Sequence, residues 1–373
     1  MAETQEKKVE YLELIYDLIF VYLIGRNNSI LHYVEGGFVT WEIFLAYVLC
    51  SLAVIQIWSY TTFYINLYGR NGVRDHVFLF INMYLMYHMA DGLSSGGQES
   101  FYQFNTAWAL ILLNISLQHL IELRNHKDEP WAIQRLNSRA AIIFAEAALV
   151  LLNIFVYSRT GVSIAYVPII FGIAATIISG LVSMFIPVDF MHLSERAMLY
   201  VVFTFGEMII SITGYFEDRV SPVSLYFSEM AFLIVVGLFL SYEILYNKII
   251  DREKITNGTG YMMIHVFMIL ALNNISVALE FMREDEVSLL PKTMFITGSF
   301  VLYFICLFML GIFSKEGYGF NRRFYLSIIL VGISFFALMF IFRTNMYLNI
   351  AVSVIYVMAV FLIIYWKGRK CIA

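Results

Sequence analysis

Long apolar runs alternate with short polar gaps over almost the whole chain. A stretch of about 20 mostly apolar residues is long enough to cross a bilayer as an α-helix. No gap between the runs is long enough for a soluble domain, so the pattern predicts one membrane domain, 1–373, of about twelve transmembrane helices. These helices are predicted near residues 11–34, 41–67, 75–92, 101–123, 133–157, 163–186, 194–216, 222–247, 260–282, 293–314, 322–343 and 346–366.

The composition supports an all-α integral membrane protein. Hydrophobic residues make up 60% of the chain and charged residues only 14%, whereas soluble domains carry about 25% charged residues. A water-soluble protein of this composition would lack the polar side chains to cover its surface. We therefore expect membrane lipids to be its surroundings. The formal net charge of -4 argues against a nucleic-acid partner, because such a partner would require a basic patch.

The loops predict the orientation of these helices. Lys and Arg residues concentrate in the loops on the side of the N-terminus, as Arg70, Arg124 and Lys254 illustrate, and few fall on the opposite side. Because positively charged loops stay in the cytoplasm, we expect a multi-pass protein of the cytoplasmic membrane with both termini inside. Glu13 and Asp17 interrupt the first apolar run, and no small-residue cleavage site follows it, which argues against a cleaved signal peptide.

The two halves of the chain resemble each other. The third predicted helix contains the sequence HVFL from His76 and ends near Asp91, and the ninth contains HVFM from His265 and ends near Glu280, with the same spacing from histidine to acid. An even number of helices in each half would make the halves parallel, related by an axis along the membrane normal. The repeats are predicted at 9–187 and 192–367.

Charged side chains inside the predicted helices indicate where function lies. Each costs roughly 2.5–3.5 kcal/mol on insertion unless it is paired or hydrated. Glu13 and Asp17 are four residues apart and share one face of the first helix. At a rise of about 1.5 Å per residue, they lie at nearly the depth of Arg196 in the seventh helix. The sequence thus predicts that Glu13 or Asp17 pairs with Arg196 near the inner face of the membrane.

A second ion pair is predicted in the outer half of the membrane, where Arg26 and Glu207 lie at similar depths. Gly206, directly before Glu207, would allow another backbone or a ligand to approach. Such pairs can lock helices together or meet a substrate or a proton, and the sequence leaves both interpretations open.

Three further residues complete the candidates for binding a substrate or an ion. Glu146 lies near the middle of the fifth predicted helix, between small alanine side chains. A carboxyl group at that depth is either protonated and hydrogen-bonded or faces a cavity. His192 and Glu195 lie at the beginning of the seventh helix, on the side of the membrane that holds Glu13.

Two motifs of metal and nucleotide sites are absent from the sequence. It contains no HExxH and no phosphate-binding P-loop. His88 with Asp91, and His119 with Glu122, have the i, i+3 spacing found in metal-binding bundles, but they fall near opposite membrane faces and cannot share a metal. Three cysteines give no disulfide framework. We expect no metal and no cofactor.

Two motifs resemble those of one family. The segment from Glu13 to Val21 reads ELIYDLIFV, which is similar to the ELFxDLxFV opening of the bacterial low temperature requirement protein A family. His192 begins the sequence HLSER, which with Phe205, Gly206 and Glu207 resembles the HxxER…LGE helix of that family, with phenylalanine where leucine is usual. The resemblance spans essentially the whole chain. It implies a bacterial inner-membrane protein and marks the signature positions Glu13, Asp17, Glu195, Arg196, Gly206 and Glu207, but it implies no reaction or substrate.

The sequence favours a secondary transporter or an ion- or proton-conducting protein, with a site between the first and seventh helices. Related halves and intramembrane carboxylates are common in carriers. The alternatives are a membrane-embedded enzyme acting on a lipid or isoprenoid substrate and a membrane sensor or assembly partner. We lean against an enzyme. The partner would be an unknown small molecule or ion, and the sequence is compatible with a homo-oligomer.

Overall fold

A computed structural model describes residues 7–93, 97–182, 187–216, 221–284 and 286–370. Within these ranges twelve α-helices occur, each on one of the predicted apolar runs, with boundaries that mostly differ from the prediction by a few residues. The helices are α1 (Tyr11–Asn28), α2 (Trp41–Tyr68), α3 (Val73–Gly92), α4 (Gly97–Glu122), α5 (Pro130–Thr160), α6 (Tyr166–Val182), α7 (Phe190–Ile212), α8 (Pro222–Ile244), α9 (Thr259–Arg283), α10 (Leu289–Met309), α11 (Arg322–Ile341) and α12 (Met346–Lys370).

Local sequence explains several helix ends. Pro130 and Pro222 begin α5 and α8, where the missing N–H of proline would have had no partner within the helix. The Ser221 hydroxyl caps α8 by accepting the N–H of Ser224, at 3.0 Å. Gly161 ends α5 in the left-handed conformation, with φ of 70°, which glycine adopts without steric cost.

The prediction that the first helix reaches residue 34 is wrong. Helix α1 ends at Asn28, a 3-10 turn (Ser29–His32) follows, and two short antiparallel strands, β1 (Val34–Glu35) and β2 (Phe38–Val39), form a hairpin. Gly36 and Gly37 make its turn with φ of 63° and 90°, a conformation that favours glycine and ends a helix. In the sequence, the pair Gly36-Gly37 is the feature that indicates this turn.

Nine helices within the described ranges are long and apolar enough to cross a membrane, as judged by length and composition. Helices α1, α3 and α6 fall outside these nine. Three charged residues interrupt α1, at Glu13, Asp17 and Arg26, and α6 has only 17 residues. The protein is therefore a multi-span all-helical membrane protein with one small hairpin.

The chain divides into two compact units. The first contains Met1–His32, Trp41–Ala197 and Ile255–Val266. In this unit α1 packs against α2 and α3, α4 lies between α3 and α5, and α5 packs against α6. The side chain of Asn27 secures the end of α1 to α2 by donating to the Ser51 hydroxyl at 2.7 Å.

The second unit contains Tyr33–Thr40, Met198–Lys254 and Phe267–Ala373. Helix α12 packs against α8 and α11 in this unit. The hairpin turn is tied to the beginning of α10 by the backbone N–H of Ser288, which donates to the Gly37 carbonyl at 2.7 Å. Phe38 of β2 packs edge-on against Phe281 and Phe295, each with a ring separation of 6.0 Å.

Candidate functional site

The N-terminal half of α1 presents two carboxylates on one buried face. Glu13 and Asp17 are 3% and 0% exposed, and their four-residue spacing places them one turn apart. Glu13 also accepts the backbone N–H of Glu10 at 3.3 Å, which helps to satisfy the free N–H groups at the beginning of the helix. Both acids therefore point into the first unit.

Arg196 binds both carboxylates. It lies near the beginning of α7, is 0% exposed, and donates from Nη1 to Glu13 Oε2 at 2.7 Å and from Nη2 to Asp17 Oδ1. The predicted pairing of Arg196 with an acid of the first helix is thus confirmed, and it involves both acids. An arginine fork suits this role because its planar nitrogens reach two acceptors at once.

Only one of the two carboxylate oxygens of Asp17 has hydrogen-bond donors among the described residues. Its Oδ1 also accepts the indole N–H of Trp58 on α2, at 3.0 Å. Its Oδ2 is buried and has no hydrogen-bond partner among the described residues. A buried carboxylate oxygen without a donor is costly, and a proton or a cation bound there would lower that cost.

His192 faces Glu13 from the first turn of α7. Its Nε2 lies 3.3 Å from Glu13 Oε2, and its Nδ1 lies 3.1 Å from Asn66 Nδ2. The Asn66 oxygen accepts the backbone N–H of Asp189 at 3.1 Å, so its amide nitrogen must be the group that faces the histidine. Nδ1 is therefore an acceptor, and the single proton of a neutral imidazole lies on Nε2, directed at Glu13.

The two acids of the site share one arginine. Glu13 and Asp17 are two buried carboxyl groups, and Arg196, a permanent cation, contacts both. A buried group of this kind is stabilised by an added proton or a small cation.

An open cavity of about 780 Å³ leads to this cluster. It lies beside the beginnings of α1 and α3 and the end of α2, and it is bordered by Glu13 together with Lys7, Glu10, Arg70 and Asp75. Glu13 thus stands between the cavity and the fully buried Asp17 and Arg196. Glu13 is therefore the residue of the cluster that a molecule in this cavity can contact.

Lys7 adjoins the mouth of the cavity. Its ammonium group donates to the Ile65 carbonyl and to the Gly69 carbonyl, the latter at 2.8 Å, where the free carbonyls at the end of α2 favour a cation. Burial lowers the pKa of Lys7 from its ordinary value, because desolvation disfavours the charged form.

Glu146 belongs to a separate buried cluster of the first unit. The Tyr60 hydroxyl donates to its Oε2 at 2.6 Å, and Gln56 donates to the same oxygen at 3.3 Å. Its Oε1 has no partner within the described ranges. In the structure Glu146 thus has two hydrogen-bond donors from α2.

The remaining candidates lie away from the Arg196 cluster or outside its unit. Glu195 is half-buried on α7, next to Arg196 in sequence, and makes no hydrogen bond or ion pair to the cluster residues described above. Arg26 lies near the opposite end of α1 in the first unit. Gly206 and Glu207 belong to the second unit, so the pairing of Arg26 with Glu207 stays a prediction. Helix α7 continues without a break through Gly206.

Sequence reasoning missed the groups on α2. Trp58, Asn66 and Tyr60 determine the hydrogen bonding of Asp17, His192 and Glu146 respectively. Their signal was weak because each is a single polar group in an apolar helix, and such residues commonly join helices in membranes.

The family model of the bacterial low temperature requirement A protein matches residues 8–363, nearly the whole chain. No curated protein and no solved structure matches the chain. The matched range contains α1 and α7, which carry the cluster formed by Glu13, Asp17, His192 and Arg196.

Proposed function

Since the chain belongs to the bacterial low temperature requirement A family, we propose that it is a secondary transporter or an ion- or proton-conducting protein of the bacterial inner membrane, with its site between α1 and α7. The observation that supports this proposal is that the buried acids Glu13 and Asp17 share one cation, Arg196, beside a cavity of about 780 Å³ that Glu13 borders. Intramembrane carboxylates of this kind occur on proton and ion pathways.

The proposed membrane topology has twelve spans, with both termini in the cytoplasm and two parallel six-helix repeats at 9–187 and 192–367. Nine helices meet the length and composition criteria directly. Helix α1 fails them because of its charges, but Arg196 compensates two of these charges within the protein. The insertion cost of α1 is lowered by that pairing, which supports a span.

In this mechanism Glu13 receives the proton or cation from the cavity and Asp17 holds it. Glu13 borders the cavity, whereas Asp17 lies one turn deeper with an unpartnered Oδ2. Protonation of Asp17 would neutralise one of the two acids that hold Arg196, so the arginine would pull toward Glu13. The exchange of a proton and the strength of the contact between α1 and α7 are coupled in this way.

Asp17→Asn is expected to abolish proton or cation flux in liposomes that carry the purified protein. The amide keeps an oxygen acceptor for Trp58 and for Arg196, but it cannot take up a proton. The flux is measured with an internal pH dye under an imposed gradient. Glu42→Gln, the same kind of change at an exposed acid at the beginning of α2, should leave the flux unchanged. Full flux in folded Asp17→Asn would exclude Asp17 as the site.

A membrane-embedded enzyme is the second candidate, because two acids and a histidine meet at one site, in Glu13, Asp17 and His192. Such a site would act on a lipid or isoprenoid substrate by acid–base chemistry. Mass spectrometry of bilayer lipids and added isoprenoid phosphates before and after incubation tests this. Product formation that His192→Gln abolishes, without any ion flux in the wild type, would favour the enzyme.

A further inference from the structure

Helix α5 contains two buried arginines that are not matched by acids. Arg135 and Arg139 are 6% and 9% exposed, and their four-residue spacing puts them on one face of the helix. Neither guanidinium takes part in an ion pair with a described side chain. Nε and Nη1 of Arg135 are buried and have no hydrogen-bond partner in the described ranges. Arg139 packs over the Phe63 ring, 5.8 Å from its centroid. Two cations at this spacing repel each other, and an anion beside Arg135 would offset that repulsion.

Arg135 borders a groove between α5 and α6 with a volume of about 560 Å³. Ser138 and Ser179 line the groove beside it, and Phe171 and Ile178 supply an apolar wall. The volume lies within the range of about 300–1,000 Å³ that is usual for ligand sites. On its other side, Arg135 meets a cavity of only about 10 Å³, shared with Arg139, which holds one water at most. The groove is therefore the side from which a ligand can reach Arg135.

We propose that this groove binds the head group of an anionic phospholipid, with the phosphate at Arg135 and an acyl chain along the apolar wall. Phosphate oxygens match the fork of the guanidinium nitrogens, and the two serine hydroxyls supply further donors. Trp131, half exposed at the groove's outer end, is the residue type that marks the membrane–water boundary. Arg135 lies one helical turn beyond Trp131 in α5, within reach of a head group held beside that tryptophan.

The charges favour an anionic lipid over a zwitterionic one. Arg135 and Arg139 together contribute two positive charges, and a choline head group would add a third beside its phosphate. The apolar wall favours a lipid over a free soluble anion, because Ile178 and Val182, 60% and 74% exposed, would otherwise face water in a site for a soluble ligand. Basic pockets between transmembrane helices are known to bind lipid head groups.

The test uses full-length protein stripped of lipid in detergent, titrated with phosphatidylglycerol or phosphatidylcholine and followed by thermal unfolding and native mass spectrometry. Phosphatidylglycerol should bind and raise the unfolding temperature more than phosphatidylcholine does. Arg135→Gln should weaken phosphatidylglycerol binding about tenfold or more, since it removes a charged hydrogen-bond donor. Arg159→Gln, at the exposed far end of the same helix, should bind as the wild type does.

Ala175→Phe provides a second variant that fills the groove and leaves both arginines in place. It should lose phosphatidylglycerol binding, and it decides the question if Arg135→Gln does not fold. Equal stabilisation by both lipids, or by glycerol phosphate as much as by phosphatidylglycerol, would overturn the proposal. So would undiminished phosphatidylglycerol binding in Ala175→Phe, or an equal loss in Arg159→Gln.

Discussion

Arg196→Gln is expected to destabilise the protein by about 3–5 kcal/mol, the cost of removing one partner from a buried ion pair. The substitution leaves the carboxylates of Glu13 and Asp17 buried and one turn apart, without the cation that both contact. Repulsion between them and the loss of two charged hydrogen bonds act in the same direction. We expect little folded protein from expression, and a large fall in the SDS concentration that unfolds what remains in mixed micelles.

The triple variant Glu13→Gln, Asp17→Asn, Arg196→Gln should recover most of that stability. It replaces three charges by neutral groups of similar shape that can still hydrogen-bond with one another, which is often tolerated when a buried ion pair is removed as a whole. Arg159→Gln, an exposed arginine on α5, should change stability by no more than about 0.5 kcal/mol. If the triple variant is no more stable than Arg196→Gln alone, the two acids are not the reason for the loss.

The positions of the helices could be predicted from the sequence because a bilayer requires long apolar runs, and those runs are directly visible. The error at α1 has a local cause. Residues 29–34 are apolar enough to extend the run, but the Gly36-Gly37 turn draws the chain into a hairpin. Hydropathy alone does not detect a turn of two residues, whereas backbone conformational preferences do.

The ion pair with Arg196 could be predicted because depth along a helix follows directly from residue number. The lateral arrangement of helices does not follow from residue number. The contact of Trp58 with Asp17 and the contact of Asn66 with His192 depend on which face of α2 turns toward α1 and α7. In a bilayer, apolar faces pack equally well against lipid and against protein, so the pattern of hydrophobic residues does not reveal that choice.

The Glu146 cluster shows how a glycine and three polar groups depend on one another. Gln56 and Tyr60 on α2 reach the Glu146 carboxylate on α5 beside Gly172 of α6. A Cβ atom at Gly172 would overlap the amide of Gln56 and the carboxylate of Glu146. The glycine of α6 therefore provides the space in which α2 and α5 form these hydrogen bonds, as small residues do at helix contacts in membranes.

Gly172→Val is accordingly expected to lower stability by about 3 kcal/mol or more. Overpacking costs about 1–3 kcal/mol, and displacing Gln56 or Tyr60 leaves the buried Glu146 carboxylate with fewer donors. Thermal unfolding in detergent, followed by size-exclusion chromatography, measures the effect. Gly332→Val in α11 is the matched control, because a Cβ there would meet no atom within 4 Å.

The smaller change Gly172→Ala separates crowding from helix propensity. Alanine is the better helix former by about 1 kcal/mol, so propensity alone would make this variant more stable than the wild type. Crowding predicts the opposite sign, since the new methyl group would overlap both the Gln56 amide nitrogen and the Glu146 carboxyl group. A stabilised single variant would show that the Glu146 cluster does not depend on the close approach of α6.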